Sequence, residues 1–372
     1  MTYSRNFWPI LFSAVLLLFT HTACTQKEKQ TPAQTESPSA AYKQVRIKED
    51  FLTKRNEQDN VDSPAIWNHS ESENWIISTA KETDVLLVND AATGNIIKRV
   101  GQSGQKLGEF KRPNGVAVID DLALVVERDN QRVQLFALPD FKPLELIGAD
   151  NLKRPYGLTV FASAPNTYEL YVTDNYETPD EKLPPANELG ERVHHYQFSV
   201  ENGKVTYKLA GVFGDTAGAG VLKTVESIYA DPANNTLLVA DEHDSEHDLK
   251  VYTLDGKFTG TIIGKGIFKQ EPEGIALYAA DDSTGYWIAT DQDYKANTFH
   301  IFDRKTFAHL GAFLGEITAN TDGVALSQYA FGPFKNGAFY AVHDDGNVAA
   351  FSWQTIADSL GLRTDAVKSY QK

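Results

Sequence analysis

From residue 43 to about 355 the apolar residues come in short runs separated by turn chemistry, and that grain limits the chain to an all-β fold. WIIST (75–79), VLLVND (85–90), LALVVE (122–127), VQLFAL (133–138), ELYVTD (169–174), TLLVAD (236–241), LKVYTL (249–254), GYWIATD (285–291) and AFYAVHDDG (338–346) are rich in Val, Ile, Leu and Tyr. Between strands lie AATGN, ENGK, LDGK and DDG, whose Gly, Asn and Asp accept the backbone angles of tight hairpins. A helical pattern is confined to WQTIADSLGL (353–362).

The runs also repeat. LVVERDNQRVQLF, YVTDNYE, LVADEHDSEHDLKVY and WIATDQDYKANTFHIF each carry a strand ending in acidic or polar residues, followed by a turn or a second strand. Units spaced about 45–60 residues apart over roughly 310 residues predict a single β-propeller of about six blades, with a short C-terminal helix. Ring closure removes long exposed sheet edges. It is also expected to gather the acidic strand ends near one face or the central channel, where cations must offset their repulsion.

The first 42 residues are of another kind. Arg5 precedes an apolar run from Phe7 to Phe19, interrupted by Pro9 and Ser13. The run is short for a membrane span and reads as a signal peptide over residues 1–24. Its end, THTAC, resembles a bacterial lipobox and makes Cys24 the lipid anchor. His21 stands where that motif has an aliphatic residue, and ordinary signal cleavage is the alternative. Cys24 is the one cysteine of the chain, so neither an internal disulfide nor a thiolate metal cluster is possible. Residues 25–42 are polar, with Pro and Ser, and read as a flexible linker to a domain at 43–372. Thr25 stands where an inner-membrane retention signal has Asp. By resemblance to Gram-negative lipoproteins this indicates an exported outer-membrane or cell-surface lipoprotein, otherwise a periplasmic or secreted protein.

Charge narrows the partners. The formal net charge is −15, and the chain lacks the clustered Lys and Arg that nucleic acid requires. Acidity suits divalent cations, and suits a polyanion where cations sit between the two. It also serves solubility alone.

Eight segments, in order, resemble the β-propeller phytases: DSPAIW (62–67), STAKETDVLLV (78–88), PYGLTVF (155–161), YQFSVENGKVTYKLAGVF (196–213), TVESIYADPANNTLLVADEHD (224–244), EPEGIALYAADDSTGYWIATDQ (271–292), TDGVAL with YAFGPFKNGAFYAVHDDGN (321–347), and FSWQTIA (351–357). The resemblance implies a calcium-dependent phosphomonoesterase that hydrolyses phytate, myo-inositol hexakisphosphate, by metal-activated water. It implies calcium ligands at Asp62, Glu226, Asp241, Glu242, Glu271, Glu273, Gln292 and Asp322, with a further metal loop at Asp344, Asp345 and Asn347. Glu226, Asp322 and Glu273 take the catalytic places, and Lys81, Arg128 and Tyr156 face substrate phosphate. A Gly after Glu273 and after Asp322 lets the backbone approach closely. The protein is expected to act as a monomer.

Some features depart from that pattern. TDNYE (173–177) carries no lysine where the family has a KEG turn, Glu271 replaces an Asp, and Ser227 replaces a Gly. GQSGQKLGEFKRPNGVAV with ERDNQRVQLF (101–136) resembles one NHL repeat, also a propeller unit. The competing functions are a ligand-binding scaffold, a calcium-dependent lactonase, or a surface lipoprotein that captures phytate for a transporter. The histidines of DEHDSEHD (241–248) read as polar residues of a turn, and His194 and His195 as surface residues.

Overall fold

Six inner strands, Val61–Ser70, Pro113–Ile119, Pro155–Ala164, Ile228–Asp231, Pro272–Ala279 and Val324–Ser327, form a closed ring in which each contacts the next and the last contacts the first. In this computed structural model, which describes residues 42–370, each inner strand opens an antiparallel sheet, giving the six blades of an all-β propeller. The signal segment, Cys24 and linker residues 25–41 lie outside the described residues. The blades are numbered I to VI in the order of those strands. Among the described residues no helix is long and apolar enough to cross a membrane.

Blade VI is completed from the other end of the chain. Phe51–Leu52 pairs antiparallel with Asn347–Ser352, so residues from both ends of the domain share one sheet. Just before it, Gln44–Ile47 adds in parallel to the outer strand His309–Gly315 of blade V as a fifth strand.

The core lies between neighbouring sheets. Trp67, Ile77 and Val88 of blade I pack with Val116, Val125 and Phe136 of blade II. Sheets covered on both faces need apolar side chains on both, and Leu122–Glu127 and Thr236–Asp241 are buried along their whole length. That is why these strands read as continuous apolar runs. The helix, Trp353–Leu360, buries Trp353, Ile356 and Ala357 against blades V and VI. It ends at Gly361, which takes a left-handed φ of 76°. The inner strands begin at residues 61, 113, 155, 228, 272 and 324. Blade III runs longest because the loop 175–192 is inserted between its second and third strands.

Candidate metal centre

Each inner strand opens beside one polar residue followed by a small one: Asp62-Ser63, Asn114-Gly115, Tyr156-Gly157, Glu226-Ser227, Glu273-Gly274 and Asp322-Gly323. In blades I, II, III and V the pairing with the second strand skips at this place, for example between Pro272 and Ile275. Such a break frees the side chain from strict alternation and re-aims it. The small residue is required by close approach. A Cβ on Gly157 would stand 2.0 Å from the Glu226 carbonyl oxygen, and one on Gly323 would stand 2.7 Å from that of Asp62. Each site residue is thereby seated on the blade before it, and the Gly323 and Gly274 amides donate to the Asp62 and Asp322 carbonyls at 2.9 and 2.8 Å.

This ring brings Glu226 and Glu273 beside Glu242, which follows the second strand of blade IV. One oxygen of each lies within 4.8 Å of the other two. Burial, and after it the neighbouring carboxylates, pushes Glu226 up to about 8 and holds Glu242 and Glu273 well above the usual carboxylate range. Glu242 Oε1 is buried without a hydrogen-bond partner. An all-oxygen donor set, mutual repulsion and an orphaned oxygen together fit a hard divalent cation such as calcium.

A second group adjoins the first. Lys81 Nζ lies 2.6 Å from Asp62 Oδ1 and 3.1 Å from Asp322 Oδ2, and Gln292 Nε2 donates to Asp322 Oδ1 at 2.7 Å. Burial opposes the Lys81 charge, but the two carboxylates outweigh it and raise its pKa. Burial lifts Asp322 to about 7 in spite of Lys81. Lys81, the three glutamates, Glu271, Gln292, Asp322 and Asp345 border one cavity of about 530 Å³.

Other residues expected at the site lie elsewhere. Asp241 is fully buried: it accepts the backbone N–H groups of Lys223 and Thr224 at 2.9 and 3.1 Å and pairs with Lys250 at 2.6 Å. Asp344 is exposed and pairs with Arg55 at 2.5 Å. Asn347 donates to the Thr53 carbonyl at 2.9 Å, tying the closing blade. Of that expected metal loop, Asp345 is the member that reaches the cavity.

The strand-end acids have a different task from the one expected of them. Glu127, Asp174, Asp241 and Asp291 each accept backbone N–H groups from the loop leading into their own blade. Each also faces a cationic or imidazole partner on the third strand, Arg132, His194, Lys250 and His300 respectively. These carboxylates pin loops rather than gather at the channel. His194, expected at the surface, is buried against Asp174, and His195 pairs with Glu169 at 2.7 Å. His243, taken as a turn residue, lines the cavity.

Arg128 and Tyr156 do meet. Arg128 Nη1 lies 3.3 Å from the Tyr156 hydroxyl, and its guanidinium is 5.9 Å from the Tyr156 ring centroid. Arg154 stands 5.8 Å from the same centroid and pairs with Glu177. Sequence reasoning passed over Arg154, although KRPYG places it two residues before Tyr156.

No family model matches the sequence, and no curated protein matches it. Solved structures do. Regucalcin, a calcium-binding protein from Agrobacterium tumefaciens strain C58, aligns with a TM-score of 0.50 at 14% identity, covering 84% of this chain and 95% of that one. Hydrazine synthase of Kuenenia stuttgartiensis aligns at 0.48 and 10% identity, over 86% and 82% of the two chains. Streptogramin B lyase aligns at 0.47 and 10%, over 81% and 97%. The regucalcin likeness is one of fold alone.

Proposed function

We propose that this protein is a calcium-dependent phosphomonoesterase whose substrate class is phytate. One observation carries the reading: the Glu226–Glu242–Glu273 cluster borders one cavity with Lys81, and Gly157, next in sequence to Tyr156 with its flanking guanidiniums, packs against the Glu226 carbonyl. Carboxylates that hold cations and guanidiniums that hold anions together suit a polyanion bound through calcium. Glu226, Glu242 and Glu273 would hold calcium, with Glu271 at the cavity edge. When bound, calcium would neutralise substrate charge and make a coordinated water more acidic. Arg128 and Tyr156 donate to a phosphate group and orient it. Asp322 borders the same cavity, with Lys81 and Gln292 fixing its two oxygens, and burial lifts it to about 7, which suits a group that gives a proton to the leaving oxygen as water adds to phosphorus and the ester P–O bond breaks.

A second reading has its own support. Lys81 holds Asp62 and Asp322 together, so those two carboxylates are engaged by an ammonium, and the three glutamates alone suit a single cation. A one-calcium propeller acting as a binding scaffold or a lactonase follows, in keeping with the calcium-binding propeller regucalcin.

The test is direct. The purified protein is given phytate with calcium, then with a chelator, and released phosphate is measured. Calcium-dependent release supports the phosphomonoesterase. No release at any calcium concentration, with one calcium bound and turnover of a simple lactone, supports the second reading instead.

A further inference from the structure

We propose that Arg154 is an anion-binding residue beside Tyr156, held in place by Glu177 until a phosphate group of the ligand displaces that carboxylate. The proposal rests on the phosphoryl reading above and extends it to a residue and a competitor.

Arg154 is built into the site from its backbone outward. Its N–H donates to Asp174 Oδ1 at 2.6 Å, and its carbonyl accepts from Asn175 N at 2.9 Å. Its side chain remains 31% exposed, so the guanidinium can meet a ligand without unpacking the blade. Arg128 of blade II and Arg154 of blade III lie 5.9 and 5.8 Å from the ring of Tyr156, which itself opens an inner strand. Gly157, the residue after Tyr156, packs against the Glu226 carbonyl, where an added Cβ would stand 2.0 Å from the oxygen. Arg154 and the glutamate cluster therefore meet through the Tyr156-Gly157 step. Lys81, which borders the cavity, is committed to two carboxylates.

The partner of Arg154 is the point of control. Glu177 belongs to the loop 175–192, the insertion that makes blade III the longest, and it is 29% exposed. A partly exposed ion pair of this kind contributes little, whereas a dianionic phosphate offers Arg a planar, two-oxygen contact of twice the charge. Exchange of Glu177 for phosphate is favourable on both counts. It follows that removing the Glu177 charge strengthens anion binding.

Calorimetric titration of the calcium-loaded full chain with inorganic phosphate tests this, using Arg154→Ala, Arg154→Lys and Glu177→Gln. Arg154→Ala should weaken phosphate binding by about tenfold or more, Arg154→Lys should recover part of the loss, and Glu177→Gln should tighten binding several-fold. Calcium affinity should stay constant throughout. If Arg154→Ala fails to fold, Arg154→Gln keeps the aliphatic stem and gives the same comparison. Phosphate affinity unchanged by Arg154→Ala, or weakened by Glu177→Gln, overturns the assignment while leaving the phosphoryl reading intact. A wild-type protein that binds calcium but no phosphate overturns both.

Discussion

The Lys81 ammonium lies 2.6 Å from Asp62 Oδ1, joining the turn after the second strand of blade I to the start of its inner strand. The same nitrogen reaches Asp322 across the seam between blades I and VI. Lys81 thus cross-links the ring where the chain closes, and the two carboxylates depend on it. Lys81→Met leaves them facing each other, with Asp62 9% and Asp322 20% exposed. In chelator this variant should lose about 3 kcal/mol of unfolding free energy, the lower end for breaking a buried pair, since Asp322 is partly solvated. Added calcium should restore much of the loss, because a cation takes over the role of the ammonium. Urea unfolding with and without calcium measures both quantities. Equal stability of variant and wild type in chelator would show that the two carboxylates are not held by this lysine.

The raised carboxyls at the site set a pH dependence of definite sign. Glu226 is pushed to about 8 and Asp322 to about 7, from ordinary values of 4.5 and 3.8, and Glu242 and Glu273 also move up. Between the ordinary and the raised values the folded protein binds more protons than the unfolded chain, so stability falls as pH rises. In chelator the melting temperature should drop from about pH 5 to about pH 8. Calcium should flatten that drop and release protons on binding, seen as a buffer-dependent binding enthalpy. A melting temperature that climbs over this range without calcium contradicts the assignment of these groups.

Asp241 and Glu242 are neighbours in sequence with opposite duties. Asp241→Asn strips the buried Lys250 of its 2.6 Å partner, leaving Asp248 at 3.3 Å and Glu246 at 3.5 Å, and should cost about 3 kcal/mol of stability with little change in calcium affinity in the folded fraction. Glu242→Gln removes one of three crowded carboxyls, so it should keep or raise stability in chelator while weakening calcium binding by about a hundredfold or more. Thermal melts and calcium titrations on the two variants separate the roles. A large calcium effect from Asp241→Asn would place that residue at the centre after all.

The contrast shows what the sequence can and cannot convey. Strand runs and their spacing announce the propeller, because sheets buried on both faces require those apolar residues. The ring residues Glu273 and Asp322 are legible too, since a Gly follows each where the next blade's carbonyl crowds in. Asp241 and Glu242 look alike in a string of acids. Their difference comes from which way a strand end points, and thus from Lys250 nine residues on. Arg154 stays hidden because its meaning depends on Tyr156 and on Glu177, which a loop brings back from 23 positions later.

Tyr294 is the most exposed large hydrophobic side chain among the described residues, at 82%, and it borders the cavity. Its turn is firm: Asp293 Oδ1 accepts the Lys295 N–H at 2.7 Å, and Asn297 Oδ1 accepts the Asp293 N–H at 2.9 Å. A rigid turn that holds an aromatic ring in water at a site mouth suits contact with the ring of a ligand. Tyr294→Ala should raise KM for phytate by about three- to tenfold with kcat nearly unchanged, Tyr294→Phe should behave as wild type, and a small acyclic phosphate ester, which has no ring, should be unaffected. A fall in kcat with KM unchanged would refute contact of this kind.

Gly157 provides the most severe test of how the ring is assembled. A Cβ there would fall 2.0 Å from the Glu226 carbonyl oxygen, and backbone cannot yield as a side-chain tip can. The Thr173 hydroxyl fixes the same oxygen with a 2.9 Å hydrogen bond and also accepts from Gly157 N at 2.8 Å. Gly157→Ala must therefore push blade IV outward or break that junction, at a cost of about 3 kcal/mol or more. Because the displaced residue is Glu226, calcium affinity should fall together with stability, although Gly157 carries no ligand atom. Gly203→Ala is the control, since that glycine also has a turn role, at φ 75°, but nothing within 4 Å of the added carbon. It should lose at most about 1 kcal/mol to backbone strain and leave calcium binding intact. Calcium titration and urea unfolding of the two variants, side by side, decide the matter. A Gly157→Ala protein with wild-type calcium affinity would mean that blades III and IV do not position the glutamate cluster through this contact.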